Sequence, residues 1–285
     1  MSAAGGIPYV IGQWVRGSRF YGRRLLLERV LAGGWHWVAG LRRVGKTSLL
    51  KQLELLAETG TPRTVPLFWD LQGVDGPGEL ALTFADALLD AEELLAAAGV
   101  GIETLDTAAL GAESVDPPPL LPILDRLVAA AKTAKIELLL LVDEADELLV
   151  VERQNPGFVE RLWRALAEAG GLRVVLATAL PLADQAAAGA PEAAWIRIFG
   201  EPLHLGVLEP EEARSLLRQD HRLVSSRPEW SEAEVETLRT SCGDHPMLLQ
   251  LAAKRGLELG SAEAARAHLV TDRSVDHLFA VDLEL

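Results

Sequence analysis

Cysteine is nearly missing from this chain: Cys242 is the one thiol in 285 residues. A lone cysteine forms no internal disulfide, so the pattern points to a reducing compartment, the cytoplasm, rather than to a secreted scaffold. Long apolar runs are missing too. The longest strongly apolar run, Leu138 to Val142, has the length of a strand, far short of the roughly 20 residues of a membrane helix. The first residues lack a basic region followed by an apolar stretch and a cleavage site, so no secretory signal is expected. Positive charge is scarce: 27 basic residues face 41 acidic ones, for a net charge of −14. The arginines Arg23-Arg24 and Arg42-Arg43 form pairs rather than runs. That balance argues against a chain that grips a nucleic-acid backbone without sequence preference. What the chain does have is 49% apolar residues, enough for one large α/β domain, alone or with a small companion.

One stretch carries clear chemistry. Gly40-Leu41-Arg42-Arg43-Val44-Gly45-Lys46-Thr47 fits GxxxxGK[ST], the phosphate-binding P-loop. The two glycines let the backbone bend, so that N–H groups across Arg43, Val44 and Gly45 face phosphate oxygens. Lys46 supplies a point charge to the β- and γ-phosphates, and the Thr47 hydroxyl is placed to ligate Mg²⁺. Trp35 to Ala39 reads as a short buried strand entering the loop. Thr47, Ser48 and the residues to Leu53 read as a helix leaving it, with its positive end toward the phosphates.

Around the loop, apolar patterning alternates between strands and helices. Arg24 to Ala32 reads as an amphipathic helix that Gly33-Gly34 ends. Val65 to Asp70 reads as a second strand, placed at or near a sheet edge by Pro66. Glu79 to Ala98 reads as one long helix, Gly99 to Pro119 as a surface loop or insert, and Leu120 to Lys135 as a helix. Leu138 to Glu144 reads as a third strand, apolar on both faces as a central parallel strand should be, although its leucines favour helix. Pro156 to Ala169 is helical, Leu172 to Thr178 a fourth strand, and Leu203 to Val207 a short fifth. From about Glu209 the pattern is helical only: Glu211 to Gln219, Ser231 to Cys242, Pro246 to Leu259 and Ser261 to Val270. Strands separated by helices imply a parallel sheet covered on both sides. The expected fold is therefore α/β, a three-layer αβα core with a parallel five-stranded sheet, followed by a small α-helical lid. The expected boundaries are residues 1–19 for a leader that folds back, 20–208 for the core, 209–270 for the lid and 271–285 for a tail.

The third strand ends in Asp143-Glu144, the pattern called Walker B. At the carboxyl edge of one sheet this pair can meet the P-loop. Asp143 would hold Mg²⁺, and Glu144 would orient and activate the water attacking the γ-phosphate. The competing reading is an acidic helix N-cap after a strand. Asp146 and Glu147 read as the solvated start of a helix. Thr178, at the tip of the fourth strand, would hydrogen-bond the γ-phosphate or the attacking water, or else cap the next turn.

Phe20-Tyr21-Gly22-Arg23, the loop Gly40 to Thr47, Leu141 to Glu144 and Gly243-Asp244-His245-Pro246 follow one another as they do in AAA+-related ATPases. The chain resembles that family over roughly residues 20–270, with the STAND and archaeal-ATPase branch as the nearest likeness. The resemblance implies ATP or ADP held with Mg²⁺ between core and lid. It also implies that Tyr21 and Arg23 line the adenine side, and that His245, beside Pro246, reaches the phosphates. Without the resemblance, His245 and Pro246 are an ordinary helix start. Arg197 stands where ring-forming relatives carry an arginine finger, yet Trp195 to Ile198 reads equally as an amphipathic strand with Arg197 facing water. STAND proteins usually add a winged helix, repeats and an effector, for which these residues have no room, so the expectation is either a fragment or a chain whose sensor and effector are separate proteins.

The expected function is an ATP-binding and ATP-hydrolysing switch, slow without a partner, whose lid movement controls a protein partner. The alternative is an oligomeric AAA+-type remodelling ATPase acting on nucleic acid or a nucleoprotein. A purely structural nucleotide would not need Glu144, and no guanine-reading NKxD motif is present. A self-associating chain is compatible with either reading, and no membrane partner is expected.

Overall fold

The computed structural model describes residues 8–60, 64–105, 120–221 and 228–271. The chain divides into two compact units, one made of residues 28–40 and 53–204, the other of residues 1–27, 41–52 and 205–285.

The first unit holds a five-stranded, wholly parallel sheet. Its strands are β1 (Trp35–Ala39), β2 (Thr64–Asp70), β3 (Glu137–Asp143), β4 (Leu172–Thr178) and β5 (Leu203–His204), in the spatial order β2-β3-β4-β1-β5. Pro66 sits on β2, an edge strand, where a missing ladder N–H is tolerated. β3 lies between β2 and β4, and Leu138 to Asp143 are all buried. Burial on both faces suits an unbroken apolar run, and this tertiary setting overrides the helical propensity of four leucines. Helices cover the sheet on both sides.

These crossovers begin with α1 (Arg24–Leu31) and α2 (Lys46–Thr59) around β1, then α3 (Pro77–Asp90) and α4 (Glu92–Ala97) after β2. The single helix expected over Glu79 to Ala98 is thus two. Ala91, with φ −94° and ψ 3°, leaves helical geometry and separates them. Part of the expected surface loop is core: Val100, Ile102 and Leu105 are buried, the last two on a 3-10 turn. The remainder of that loop, 106–119, lies outside the described residues. α5 (Leu120–Ala134) leads into β3. After it come α6 (Leu148–Gln154), α7 (Phe158–Ala169) and, beyond β4, α8 (Leu180–Ala188). The amphipathic strand expected around Trp195 is instead a 3-10 helix, Pro191–Phe199. Ala193, Ile196 and Phe199 are buried at a spacing of three, the period of that helix, whereas a strand would bury alternate residues. Arg197 does face solvent.

The second unit is helical: α9 (Pro210–Arg218), α10 (Glu232–Cys242), α11 (Pro246–Leu259) and α12 (Ala262–Thr271). Its core is built from Leu217, Val235, Leu238, Leu249, Ala252 and their neighbours. The small residues of α11 let helices approach closely, while Ser231 and Glu234 close a capping box on α10. The N-terminal segment packs into this unit. Tyr9 donates its hydroxyl to the Leu217 carbonyl at 2.5 Å, and Trp230 Nε1 donates to the Tyr9 oxygen at 2.8 Å. Val10 N donates to Gln250 Oε1 at 2.8 Å. No helix among the described residues is long and apolar enough to cross a membrane.

Candidate functional site

In the sheet unit, all strands run the same way, so β1, β3 and β4 deliver their ends to one edge. Ala39 pairs with Thr178, and Val142 with Leu176, so the residues after them meet there. Gly40 N donates to the Thr178 carbonyl at 3.1 Å, which pins the first residue of the P-loop sequence beside the tip of β4. Asp143 closes β3, 3% exposed, and its Oδ1 accepts the Glu144 amide at 3.1 Å. The Asp143 carbonyl accepts from Leu71 N at 3.2 Å. Glu144 follows in the left-handed region, φ 49° and ψ 41°. A non-glycine residue there carries backbone strain of about 1 kcal/mol or more, of the kind that collects at functional sites. Thr178 is fully buried, and its Oγ1 has no hydrogen-bond partner among the described residues.

Asp146, expected at the solvated start of a helix, is half-buried on the 3-10 turn Ala145–Glu147. Its Oδ2 accepts the Ala179 amide at 2.7 Å, tying the turn after β3 to the turn after β4. That bond positions Thr178 relative to Asp143 and Glu144. No sequence signal distinguished Asp146 from an ordinary first-turn aspartate.

In the helical unit, the P-loop sequence turns through two left-handed residues, Arg43 (φ 60°) and Gly45 (φ 105°), before α2 begins at Lys46. A Cβ at Gly45 would meet nothing within 4 Å, so what requires glycine there is the backbone angle, not space. Val44 is buried, and Lys46 is 6% exposed with Nζ donating to the Leu41 carbonyl at 3.2 Å. The loop thus bends back over its own lysine. Arg43 reaches Met247 Sδ at 3.9 Å. Thr47 and Ser48 lie in the first turn of α2, and Ser48 Oγ accepts the Val15 amide at 3.1 Å.

The base-side candidates are held by residues the sequence reading missed. Tyr21 is buried and stacks on His221, with centroids 4.6 Å apart and rings 12° from parallel. Arg23 N donates to Glu212 Oε1 at 2.8 Å, while Glu212 Oε2 accepts Glu209 N at 3.2 Å in the capping box of α9. Gly22 runs at φ 77°, and a Cβ on it would come within 2.3 Å of the Glu212 carboxylate. The Arg23 guanidinium donates to the carbonyls of Gly206 and Val207, rather than standing open toward a ligand. Burial pulls its pKa below the usual arginine value, against the raising influence of Glu212 and Glu209. His245 is 7% exposed and is the N-cap residue of α11, with Pro246 in the first turn. The preceding Asp244 has φ 57°, and its Oδ2 accepts from Arg239 at 2.8 Å.

No family model matches the sequence, and no curated protein matches it. Solved structures do match. A Walker-type ATPase of Pyrococcus abyssi aligns over 97% of this chain and 78% of its own, with a TM-score of 0.71 at 15% identity. The fold is like that of this Walker-type ATPase. The ORC2 protein of Aeropyrum pernix, solved in ADPNP–ADP complexes, shares this P-loop ATPase fold at TM-score 0.55 and 17% identity, over 87% of this chain and 65% of that one. Cdc6p of Pyrobaculum aerophilum shares it at TM-score 0.53 and 11% identity, over 85% of this chain and 65% of that one. The chain therefore spans just under two thirds of these last two proteins. At such identities the likeness is one of fold, and it does not single out the STAND branch.

Proposed function

We propose that the chain binds ATP with Mg²⁺ and hydrolyses it, and that the nucleotide state sets the position of the helices from α9 to α12 toward a partner. The observation carrying this reading is the edge where Asp143, Glu144 and the buried, unpartnered Thr178 hydroxyl gather beside Gly40. Gly40 is the first residue of the GxxxxGKT sequence, so the phosphate loop departs from the same edge. The Aeropyrum pernix protein of like fold was solved with ADPNP and ADP, which supports an adenine nucleotide here.

In this reading the main-chain amides of residues 43–48 and the Lys46 ammonium hold the β- and γ-phosphates. The donor set fits Mg²⁺, which takes one or two protein ligands and otherwise phosphate and water oxygens. Asp143 and Thr47 would hold it, and when bound it neutralises charge on the β- and γ-phosphates. Glu144 accepts a hydrogen bond from the attacking water and takes its proton. Thr178 donates its hydroxyl to the γ-phosphate or to that water. Tyr21 flanks the base, and Arg23, through Gly206 and Val207, secures the turn that carries Tyr21. His245 and Pro246 open α11 toward the phosphates, so that gain or loss of the γ-phosphate moves the helical unit. Turnover of the isolated chain is slow, since an arginine supplied in trans is worth about 10³–10⁵ in rate where one is used.

Isothermal titration and phosphate-release assays on wild type, Lys46→Ala and Glu144→Gln test this. Lys46→Ala should abolish measurable ATP binding. Glu144→Gln should retain binding and lose about 10²–10⁴ in turnover. Hydrogen exchange at the start of α11 should slow when ATP is added to Glu144→Gln. Wild-type protein that neither binds nor hydrolyses ATP sinks the proposal. Binding without any change in exchange at α11 would remove the switch and leave the ATPase.

A further inference from the structure

In the reading above Tyr21 marks the base side of the nucleotide, yet it has almost no surface to offer a base. It is 5% exposed, and its hydroxyl oxygen is buried. One face of its ring is covered by His221, just past the end of α9, with centroids 4.6 Å apart and planes 12° from parallel. Stacked rings pack with centroids about 4.5–7 Å apart, so this pair is already in contact and no third ring fits between them. A base reaching Tyr21 would first have to displace the imidazole.

His221 has what Tyr21 lacks, because it is exposed. Its Nδ1 lies 3.3 Å from the Phe20 carbonyl, and a carbonyl only accepts, so Nδ1 carries the proton of that bond. The ring is thus held at one edge by Phe20 and on one face by Tyr21, and its other face is left toward solvent. The turn beneath is itself fixed, because Glu212 Oε1 accepts the Arg23 amide at 2.8 Å. A ring oriented before any ligand arrives loses little freedom on binding one. The pair is also tied close to the phosphate loop. Val15 N donates to Ser48 Oγ at 3.1 Å in the first turn of α2, and Gly17 N donates to Gln52 Oε1 at 2.7 Å one turn on. From Val15 to Tyr21 the chain spans about 20 Å at full extension, and the 3-10 turn Gly17–Arg19 shortens that.

We propose that His221 presents the ring on which the nucleotide base stacks, with Tyr21 as the layer behind it. This rests on the ATP-binding reading above and names the residue of that same site that meets the base. Tyr21 then flanks the base through His221, as the inner layer of a three-ring stack. Base and imidazole are both planar, and a ring face under a base is worth about fivefold or more in affinity. The contact is made to the base alone. His221 therefore contributes nothing to the hold on the phosphates, which falls to Lys46 and the amides of residues 43–48.

Isothermal titration of the full chain with MgATP, and separately with magnesium tripolyphosphate, which has no base, is the test. His221→Ala should weaken MgATP binding about fivefold or more and leave tripolyphosphate binding unchanged. His221→Gln, polar but without a ring, should lose as much, whereas His221→Phe should stay within about twofold of wild type. A thermal melt of each variant checks that it folds, as expected for an exposed position. Unchanged MgATP affinity in His221→Ala overturns the inference. Raised affinity overturns it too, and would mean that the base displaces His221 and lies directly on Tyr21. An equal loss for tripolyphosphate would place the effect on the phosphate side and refute a base contact. Wild-type protein that binds no MgATP overturns the nucleotide reading itself, whereas wild-type binding that His221→Ala leaves intact overturns only the assignment of His221.

Discussion

Thr178→Val separates a group kept for a ligand from a group kept for stability. Thr178 is fully buried at the tip of β4, and its hydroxyl has no partner among the described residues. A buried polar group left unsatisfied costs about 1–3 kcal/mol. Valine keeps the β-branched shape that suits a strand and leaves the backbone bond from Gly40 N to the Thr178 carbonyl intact. The nucleotide-free variant should therefore be more stable by about 1–3 kcal/mol. At about 2 °C per kcal/mol for a chain of this size, its melting temperature should rise by about 2–6 °C. The nucleotide side moves oppositely. A hydrogen bond to a charged phosphate is worth about 1.5–3 kcal/mol, so MgATP affinity or turnover should fall about tenfold to a hundredfold. A tenfold loss of affinity removes about 1.4 kcal/mol of ligand-induced stabilisation, or about 3 °C of the MgATP-dependent shift. Differential scanning fluorimetry with and without MgATP reads both quantities. A lower melting temperature in the nucleotide-free variant would show that the hydroxyl has a structural partner. An undiminished MgATP shift and turnover would show that it serves no nucleotide.

Three further outcomes follow from the same geometry. Glu152, 9% exposed, accepts the amides of Gly157 at 2.6 Å and Val159 at 2.8 Å at the start of α7. Glu152→Ala strands those donors and should cost about 2–3 kcal/mol in urea unfolding, with Glu152→Gln milder. Burial, reinforced by Asp244, pushes the Cys242 thiol up to about 12, so the native protein should resist iodoacetamide at pH 8 and react once unfolded. Hydrogen bonds from Arg239 and then Arg214 hold the Glu236 carboxyl below the usual range. Its contribution is complete above the unfolded carboxyl pKa of about 4.3 and is lost as pH falls through the lower folded value. The stability gap between wild type and Glu236→Gln should therefore be present at neutral pH and close under acid.

Elements with a strong local signature were legible. Trp35 to Ala39 and Leu172 to Thr178 are short apolar runs between breakers, and the structure ends both strands where the sequence does. The capping box at Ser231 is a local bond pattern and formed as expected. Where the pattern was misread, the deciding partner was distant in sequence or the period was ambiguous. Trp195 and Ile196 are compatible with a strand until Ala193 and Phe199 are seen buried with them. Val100 and Leu105 resembled loop residues, yet both join the cluster that also holds buried residues of β2, β3 and α5.

Sequence alone determined that a GxxxxGKT loop leaves one strand and that a carboxylate pair ends another, because both depend on residue type and spacing within a few positions. It determined the parallel sheet too, through strands too far apart in sequence for tight hairpins. Tertiary structure decided which side chains those features would meet. Arg23 turns to the Gly206 and Val207 carbonyls, Asp146 anchors the turn after β4, and Trp14 lies beside Lys51 on α2. Each of those contacts joins segments whose separation along the chain carries no energy until the fold closes the loop between them, and composition and periodicity are blind to such contacts.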